Sequence, residues 1–394
     1  MSKIEQLIAE LCPDGVEFKS LGELGDFYGG LSGKSKEDFS YGNAKFITYM
    51  NVYTNLSLNI DIPDKVNVGE NEKQNTIQCG DIIFTGSSET PDECGMSSVL
   101  TTEPDEELYL NSFCFGLRLF DKKLLDPSFS KYLFRSEKVR KQIKKTASGV
   151  TRFNVSKKKM EQVIIPIPPL PVQREIVRIL DNFTELTAEL TAELTARKKQ
   201  YEHYRNELLT FGDDVPMIAL GETCSMKSGK SISSSKISNQ KDESAPYACF
   251  GGNGIRGYVK DASHHGEFPI IGRQGALCGN VNYASGDFYA TEHAVVVKSL
   301  GKYNQRFLFH LLTVMNLNQY KSQGAQPGLA VGNLENLLAP VPPLNEQQYI
   351  VSILDRFDAL CNDLTMGLPA EIEARRKQYE YYRDKLLTFK EANA

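Results

Sequence analysis

The segment "PIPPLPVQREIVRILDNF" at 166 to 183 returns as "PVPPLNEQQYIVSILDRF" at 340 to 357, and "ARKKQYEHYRNELLTF" at 196 to 211 returns as "ARRKQYEYYRDKLLTF" at 374 to 389. A duplication of this kind limits the fold more than composition does, because each copy must bury its apolar face against itself or against its twin. Pro166, Pro168, Pro169, Leu170, Gln173, Ile176, Val177, Ile179, Leu180, Asp181 and Phe183 are all matched in the second copy. The separation of the copies grows from 174 to 178 positions between the two segments, so the second copy is four residues longer there. At that place the first copy writes T-A-E-L twice, as Thr187, Ala188, Glu189, Leu190 and Thr191, Ala192, Glu193, Leu194, where the second reads "LTMGLPAEIEA". Upstream, "DGVEFKSLGE" at 14 to 23 parallels "DDVPMIALGE" at 213 to 222, and Ser32-Gly33-Lys34-Ser35 reads like Ser228-Gly229-Lys230-Ser231.

The matched segments predict long helices. Ile176, Phe183, Leu190, Tyr204 and Phe211 fall on one heptad register, broken only at Arg197, with Leu180, Leu194, Tyr201 and Leu208 four positions after stations of that register. A single exposed helix of this length is unstable unless its stripe finds a partner. The other copy offers one in Ile350, Leu354, Phe357, Leu364, Leu368, Ile372, Tyr379, Tyr382 and Leu386; the alternative is that each helix packs on its own domain. Pro369 beside Gly367 predicts a kink or break in the second helix. A four-residue unit is close to one helical turn, so each T-A-E-L adds about 6 Å of helix and turns its face only a little. The repeat therefore reads as a spacer, against slippage in a tolerant surface helix.

Between these segments lie two bodies, 12 to 165 and 212 to 340. In them short β-rich runs such as "DIIFTG", "CFGLRLF", "FPIIG" and "HAVVVKSL" are punctuated by Gly, Asn and Ser. The fold class expected is mixed α+β, with a first domain over 1–165 that includes a short N-terminal helix, a helical region over 166–211, a second domain over 212–340 and a second helical region over 341–394. The end of "LLTFKEANA" joined to "CPDGVEFKSLGE" repeats the join at "LLTFGDD". This predicts a pseudo-two-fold, circular arrangement with neighbouring termini.

Composition narrows function mainly by exclusion. No apolar run reaches the roughly 20 residues needed to span a bilayer, which points to a cytoplasmic protein without membrane contact. Eight scattered cysteines with no C-x-x-C pair read as reduced, mostly core thiols. A net charge of -5 argues against coating nucleic acid by bulk electrostatics and leaves room for a local basic face. "YGGLSGKS" and "CSMKSGKS" lack the first glycine of a phosphate-binding loop, having Tyr28 and Cys224 in its place. Lys34 with Ser35 and Lys230 with Ser231 remain as polar loops able to meet phosphate or a base edge. The five histidines have no metal-ligand spacing, and no hydrolase or metalloprotease motif is present, which favours a binding protein without a catalytic centre or metal.

The strongest local signal is "SEKVRKQIKKTASGVTRFNVSKKK" at 136 to 159. It sets Lys138, Arg140, Lys141, Lys144, Lys145, Arg152, Lys157, Lys158 and Lys159 against the single acid Glu137. Cations interleaved with Ser148 and Asn154 suit phosphate contacts and hydrogen bonds to bases. In the second body the corresponding "QYKSQGAQPGLAVGN" contributes Gln326, and "IGRQGALCGN" contributes Arg273 and Gln274, side chains suited to guanine and adenine edges. Arg256 completes the candidates for DNA contact.

The doubled proline punctuation with "I-V-x-I-L-D-x-F", followed by "R-K-Q-Y-E-x-Y-R-x-x-L-L-T-F", resembles the specificity subunit of type I restriction-modification enzymes. The resemblance covers the whole chain. It implies two target-recognition domains, each reading one half of a split site in double-stranded DNA, separated by two helical regions paired as an antiparallel coiled coil that acts as a ruler. It also implies docking of two modification subunits, which bring S-adenosylmethionine and methylate adenine, and of restriction subunits that use ATP and Mg to translocate and cut. No cofactor is expected on this chain. "PVQRE" stands in the first copy where the second has "NEQQY", nearer the family pattern, and this predicts unequal docking of the two partners. A coiled-coil scaffold with two protein-binding heads is the alternative class.

Overall fold

The computed structural model describes residues 2–322, 327–363 and 365–392. It divides into two compact units, Met1–Glu189 with Glu373–Ala394, and Leu190–Ile372. The division at Glu189 falls inside the T-A-E-L repeat.

In the first unit, the helix Lys3–Leu11 starts with a capping box in which Ser2 and Glu5 satisfy each other's backbone N–H. Glu17–Ser20 then pairs antiparallel with Ile164–Ile167, the strand that carries the proline punctuation. The centre of the domain is an antiparallel sheet ordered Gly25–Gly29, Cys114–Leu119, Ile82–Thr85, Ser97–Val99. Beside it, Ala44–Ile47 runs parallel to Leu108–Leu110 with Phe46 opposite Tyr109. The alternating apolar residues of the central sheet meet Phe129, Tyr132 and Leu133 of the helix Pro127–Leu133 in one core.

The second unit repeats the plan with different letters. Met217–Ala219 pairs with Leu338–Pro340, and a six-stranded sheet begins Cys224–Ser228, Ala294–Ser299, His264–Gly272, Val281–Ala290. Tyr247–Gly251 lies parallel to Val281–Ala290 with Cys249 opposite Tyr289, as Phe46 is opposite Tyr109 in the first unit. Cross-strand partners correspond: Phe27 with Leu117 in one, Met226 with Val297 in the other. The β-rich bodies expected from sequence are thus one architecture built twice.

The predicted helices form, and each unit holds its own pair. The first helix runs unbroken over Leu170–Leu208, about 58 Å at 1.5 Å per residue. In the first unit its start buries Ile176 and Leu180 in the core that also takes Leu386 and Leu387, and Phe183 stacks on Tyr382 at 5.4 Å. In the second unit Tyr201 and Tyr204 stack on Phe357 of the helix Leu344–Asn362 at 6.2 and 5.5 Å. The second helical region is broken, as Pro369 and Gly367 predict, but the break precedes the proline. Asp363 accepts hydrogen bonds from the N–H of Thr365 and Met366, and Gly367 comes so close to the Ala359 carbonyl that a Cβ would sit 2.6 Å from its oxygen. Pro369 then stands in the first turn of the helix Leu368–Leu386, where its missing N–H costs nothing. Leu364 of the predicted stripe lies outside the described residues.

Two matched glutamines explain part of the repeat. Gln173 is fully buried; its amide donates to the carbonyls of Leu124 and Pro168 at 3.0 and 2.7 Å, and its oxygen accepts the Asp126 N–H at 2.8 Å. Gln347 does the same with Lys302 O, Pro342 O and the Asn304 N–H at 2.9, 2.8 and 2.7 Å. Each ties the proline punctuation to the residue that caps an earlier helix of its domain, Asp126 for Pro127–Leu133 and Asn304 for Gln305–Val314. Replacing Gln173 or Gln347 with Leu should lower unfolding free energy by about 2 to 4 kcal/mol, since three buried backbone groups lose their partner at once. Urea unfolding checks this, and an unchanged midpoint would contradict the staple.

Within the first unit the segments near the two termini meet, as the circular arrangement requires. Val16 donates its N–H to Lys390 O at 2.9 Å, and Ala392 donates to Val16 O at 2.9 Å. Of the eight free cysteines all but Cys79 are buried. No helix among the described residues is long and apolar enough to cross a membrane.

Candidate nucleic-acid interface

In the first unit the basic stretch folds into the helix Glu137–Thr146, a two-stranded hairpin and the short helix Lys157–Met160. The hairpin pairs Ala147 with Val155 and Ser148 with Asn154, leaving Gly149 to Arg152 as its turn. Gly149 has a positive φ of 153°, and a Cβ there would lie 2.0 Å from the Arg152 carbonyl oxygen, so the turn requires glycine. The hairpin's second strand lies against Ser87 and Ser88, just beyond the central strand Ile82–Thr85, and Val155 N–H donates to Gly86 O at 2.9 Å. A cleft of about 820 Å³ opens beside it, lined by Tyr49, Met50, Tyr53, Glu93, Phe113 and Arg152 among others. Arg152 donates through Nη2 and Nε to Ser87 Oγ at 2.8 and 3.1 Å, and its guanidinium lies 5.3 Å above the ring of Phe113. Tyr53 donates to Glu93 at 2.9 Å, and this bond, followed by that from Thr90, holds the Glu93 carboxyl below the usual carboxylate range.

The second unit builds the same frame. Leu329 N–H donates to Arg273 O at 2.8 Å, as Val155 does to Gly86, and Arg273 N–H donates to His293 O at 2.9 Å, as Gly86 does to Phe113 O at 2.7 Å. Gln274 bridges Gly328, where Ser87 pairs with Asn154 in the first unit. The cleft here is about 460 Å³, lined by Gly252, Gln274, Gly275, Ala276, His293, Pro327 and Gly328. Arg273-Gln274 and, from the second predicted segment, Pro327 to Leu329, far apart in the chain, are therefore brought together.

The candidates separate into available and committed side chains. Lys145, Lys158, Lys230 and Gln274 are exposed with no hydrogen-bond or ion-pair partner for their side chains among the described residues. Ser148 and Asn154 are exposed on the hairpin, and Lys157 is exposed with its ammonium 5.6 Å above Phe115. Ser231 is exposed and its carbonyl accepts from Tyr289. Arg256 donates to Ser234 Oγ at 2.8 Å, and Lys144 is paired with Asp92 at 2.8 Å. Three expectations are corrected. Lys34 is not presented outward: its side chain is only 8% exposed and its ammonium is held by Glu72 and the Asn67 carbonyl, and Lys34 in turn leads the effects that pull the Glu72 carboxyl down to about 2. Ser35 is spent on Asp38, to which its N–H and hydroxyl both donate. Arg273 is half-buried and donates Nη1 to Ser228 Oγ at 2.9 Å, which draws it inward from the loop. Arg140 of the basic stretch is likewise internal, donating to the carbonyls of Gly95, Asp92 and Cys94, with burial pushing its guanidinium down to about 10. Gln326 lies outside the described residues.

The echo of Ser32-Gly33-Lys34-Ser35 in Ser228-Gly229-Lys230-Ser231 is a slipped register. Gly229 N–H donates to Ala294 O and Lys230 N–H to Ala290 O, whereas in the first unit the corresponding bonds are Gly30 to Cys114 and Leu31 to Leu110. Gly30 is therefore the counterpart of Gly229, and Lys34 has no equivalent in Lys230. Sequence reading missed Tyr49, Tyr53, Ser87, Glu93 and Phe113, and singled out His293 only as lacking metal spacing. No shared letters mark these positions; only the shared backbone bonds do. Among the described residues no cluster of His, Cys, Asp or Glu could hold a metal ion.

The spacer residues Thr187 to Leu194 all lie in the helix Leu170–Leu208. Leu190 and Leu194 of the predicted stripe are half-buried, as is Thr187, while Ala188, Glu189, Thr191, Ala192 and Glu193 are exposed.

A buried histidine gives the second unit a pH dependence. His310 is bonded to Asp355 through Nε2 at 2.8 Å, with Tyr201 at 3.4 Å from Nδ1 and Arg306 bonded to Asp355 and Asp358. Burial, only partly offset by the Asp355 hydrogen bond, holds the imidazole below its ordinary 6.5. The unfolded chain then takes up the proton first, so stability present above about pH 6.5 is lost as pH falls below it. His310→Gln should flatten that slope in thermal unfolding of the protein, leaving the part due to His264, which burial also lowers. An unaltered slope would show that His310 does not carry it.

Duplicated domains, each with a cleft of different side chains on one backbone frame, define a repeat protein with two candidate sites. The family of type I restriction modification DNA specificity domains matches residues 13–197 and 212–374, and the chain belongs to that family. It is 57% identical over 207 residues to the EcoprrI specificity subunit of Escherichia coli, a match spanning 51% of this chain and 52% of that one. It is 34% identical over 265 residues to the EcoR124I/EcoR124II specificity subunit of Escherichia coli, covering 60% of this chain and 65% of that one. In fold it resembles the S subunit of a type I restriction-modification system from M. genitalium, with a TM-score of 0.60 at 17% identity over 95% of this chain and 96% of that one.

Proposed function

We propose that this chain is the DNA-reading, non-catalytic subunit of a cytoplasmic type I restriction-modification complex. Each cleft reads one half of a split site, and the helix Leu170–Leu208 sets the gap between the halves. The observation that carries this reading is that the two clefts keep the same backbone hydrogen bonds and change only the side chains they present, as readers of two different half-sites require. The helical regions would dock two modification subunits bearing S-adenosylmethionine, and restriction subunits using ATP and Mg would join them. The test is fluorescence anisotropy of the chain assembled with its modification subunits, on duplexes of varied sequence and at varied salt, together with mapping of methylated adenines in cells that carry the whole system. Binding should depend on two short blocks of sequence at fixed separation. Affinity that is indifferent to sequence at every salt concentration would overturn the reading.

A further inference from the structure

The shared frame separates side chains that support the fold from those that differ at one and the same station. Phe113 in the first unit and His293 in the second occupy such a station: each lies at the turn before an inner strand, and each lends its carbonyl to the loop that carries the cleft. Phe113 is 55% exposed, and its ring carries the Arg152 guanidinium. In the second unit, Arg273 Nε, Glu292 Oε2 and His293 Nδ1 are buried with no hydrogen-bond partner among the described residues. Buried polar atoms are seldom left unpaired, and of these three residues His293 lines the cleft beside Gln274, which puts one unsatisfied ring nitrogen at the cleft wall.

Resting on the DNA-reading function above, we propose that Phe113 and His293 are equivalent specificity-determining residues, the first cleft taking a guanine through Arg152 and the second an adenine through Gln274. The chemistry of each cleft fits its base. Arg152 is braced by Ser87 and by the ring, which fixes its plane and leaves Nη1 without a partner among the described residues; a fixed guanidinium edge suits the O6 and N7 acceptors of guanine. Glu93 across the same cleft offers an acceptor for the amino group of the paired cytosine. In the second cleft Arg273 is drawn inward to Ser228, and the exposed Gln274 amide supplies the donor and acceptor that the N7 and N6 of adenine need.

The experiment selects bound duplexes from a library randomised across the site, using the chain assembled with its modification subunits. Arg152→Gln and Phe113→Ala should each relax one G·C pair in the half-site of the first domain, by roughly 5- to 100-fold in discrimination. Gln274→Ala and His293→Ala should relax one A·T pair in the other half-site to a similar degree, and Phe113→Tyr should retain the wild-type preference. Phe113 and Gln274 are exposed, so their variants should keep the wild-type melting temperature and report on recognition alone. Affinity reduced evenly over all sequences, or relaxation at a pair of the other kind, would overturn the assignment while leaving the two-part recognition intact. A wild-type complex without any sequence preference would remove both the assignment and the function beneath it.

Discussion

Adding one T-A-E-L to the helix Leu170–Leu208 should move the two half-sites apart by about one base pair while leaving the bases read in each unchanged. Four residues lengthen the helix by about 6 Å and, at 100° each, advance its face by about 40°. The inserted leucine continues the row of Leu190 and Leu194, so the half-buried seam survives. With duplex DNA rising about 3.4 Å per base pair, two base pairs is the upper limit, and strain shared between helix and duplex reduces it to one. The compact units divide between Glu189 and Leu190, inside the repeat, so the insertion touches neither cleft. Deleting one unit should draw the half-sites together by the same amount. Mapping methylated adenines in cells carrying each variant decides the matter. Unchanged spacing with full activity would reduce the repeat to slippage, and altered half-site bases would show that the helix does more than measure.

The second large effect is electrostatic. Replacing Lys145, Lys158 and Lys159 together with Ala should weaken DNA binding by about 100-fold at 0.15 M salt, taking about 0.9 unit of salt slope for each phosphate no longer neutralised. Lys145, Lys158 and Lys159 are exposed cations of the basic stretch whose side chains have no partner among the described residues. Lys144 and Lys141 are poorer choices because Asp92 and Glu137 already neutralise them. Titrations of the assembled complex at several salt concentrations measure the slope; a variant that folds normally with the wild-type slope would place the DNA elsewhere.

The helices were legible in the sequence because burying one face of a helix writes a period into the letters, and a repeat states that period twice. Gln173 and Gln347 were legible as matched letters, although only the structure shows that both close the same three hydrogen bonds. The clefts were not legible, for the reason that makes them suited to recognition. Ser87 and Gln274 have the same backbone partners and no chemical likeness, and Phe113 and His293 differ in the same way. Strand register, set by backbone hydrogen bonds, overrode the echo of Ser-Gly-Lys-Ser. Composition marked Lys34 and Arg140 as cations, but whether a cation faces water depends on residues such as Glu72 and the carbonyl of Gly95 that lie far away in the chain.

The closure of Val16 on Lys390 and Ala392 also fixes an order of assembly during synthesis. Domains usually complete themselves from the N-terminus as the chain emerges from the ribosome. Here the first domain's core stays open until Tyr379 and Leu387 arrive, residues made after the entire second unit. The second unit, Leu190–Ile372, is continuous and has all its parts as soon as it is translated. The nascent protein thus finishes its later half before its earlier one, and the first head waits unsealed, the rings of Tyr132 and Phe183 without Tyr379 and Tyr382, until the last turns of helix come home.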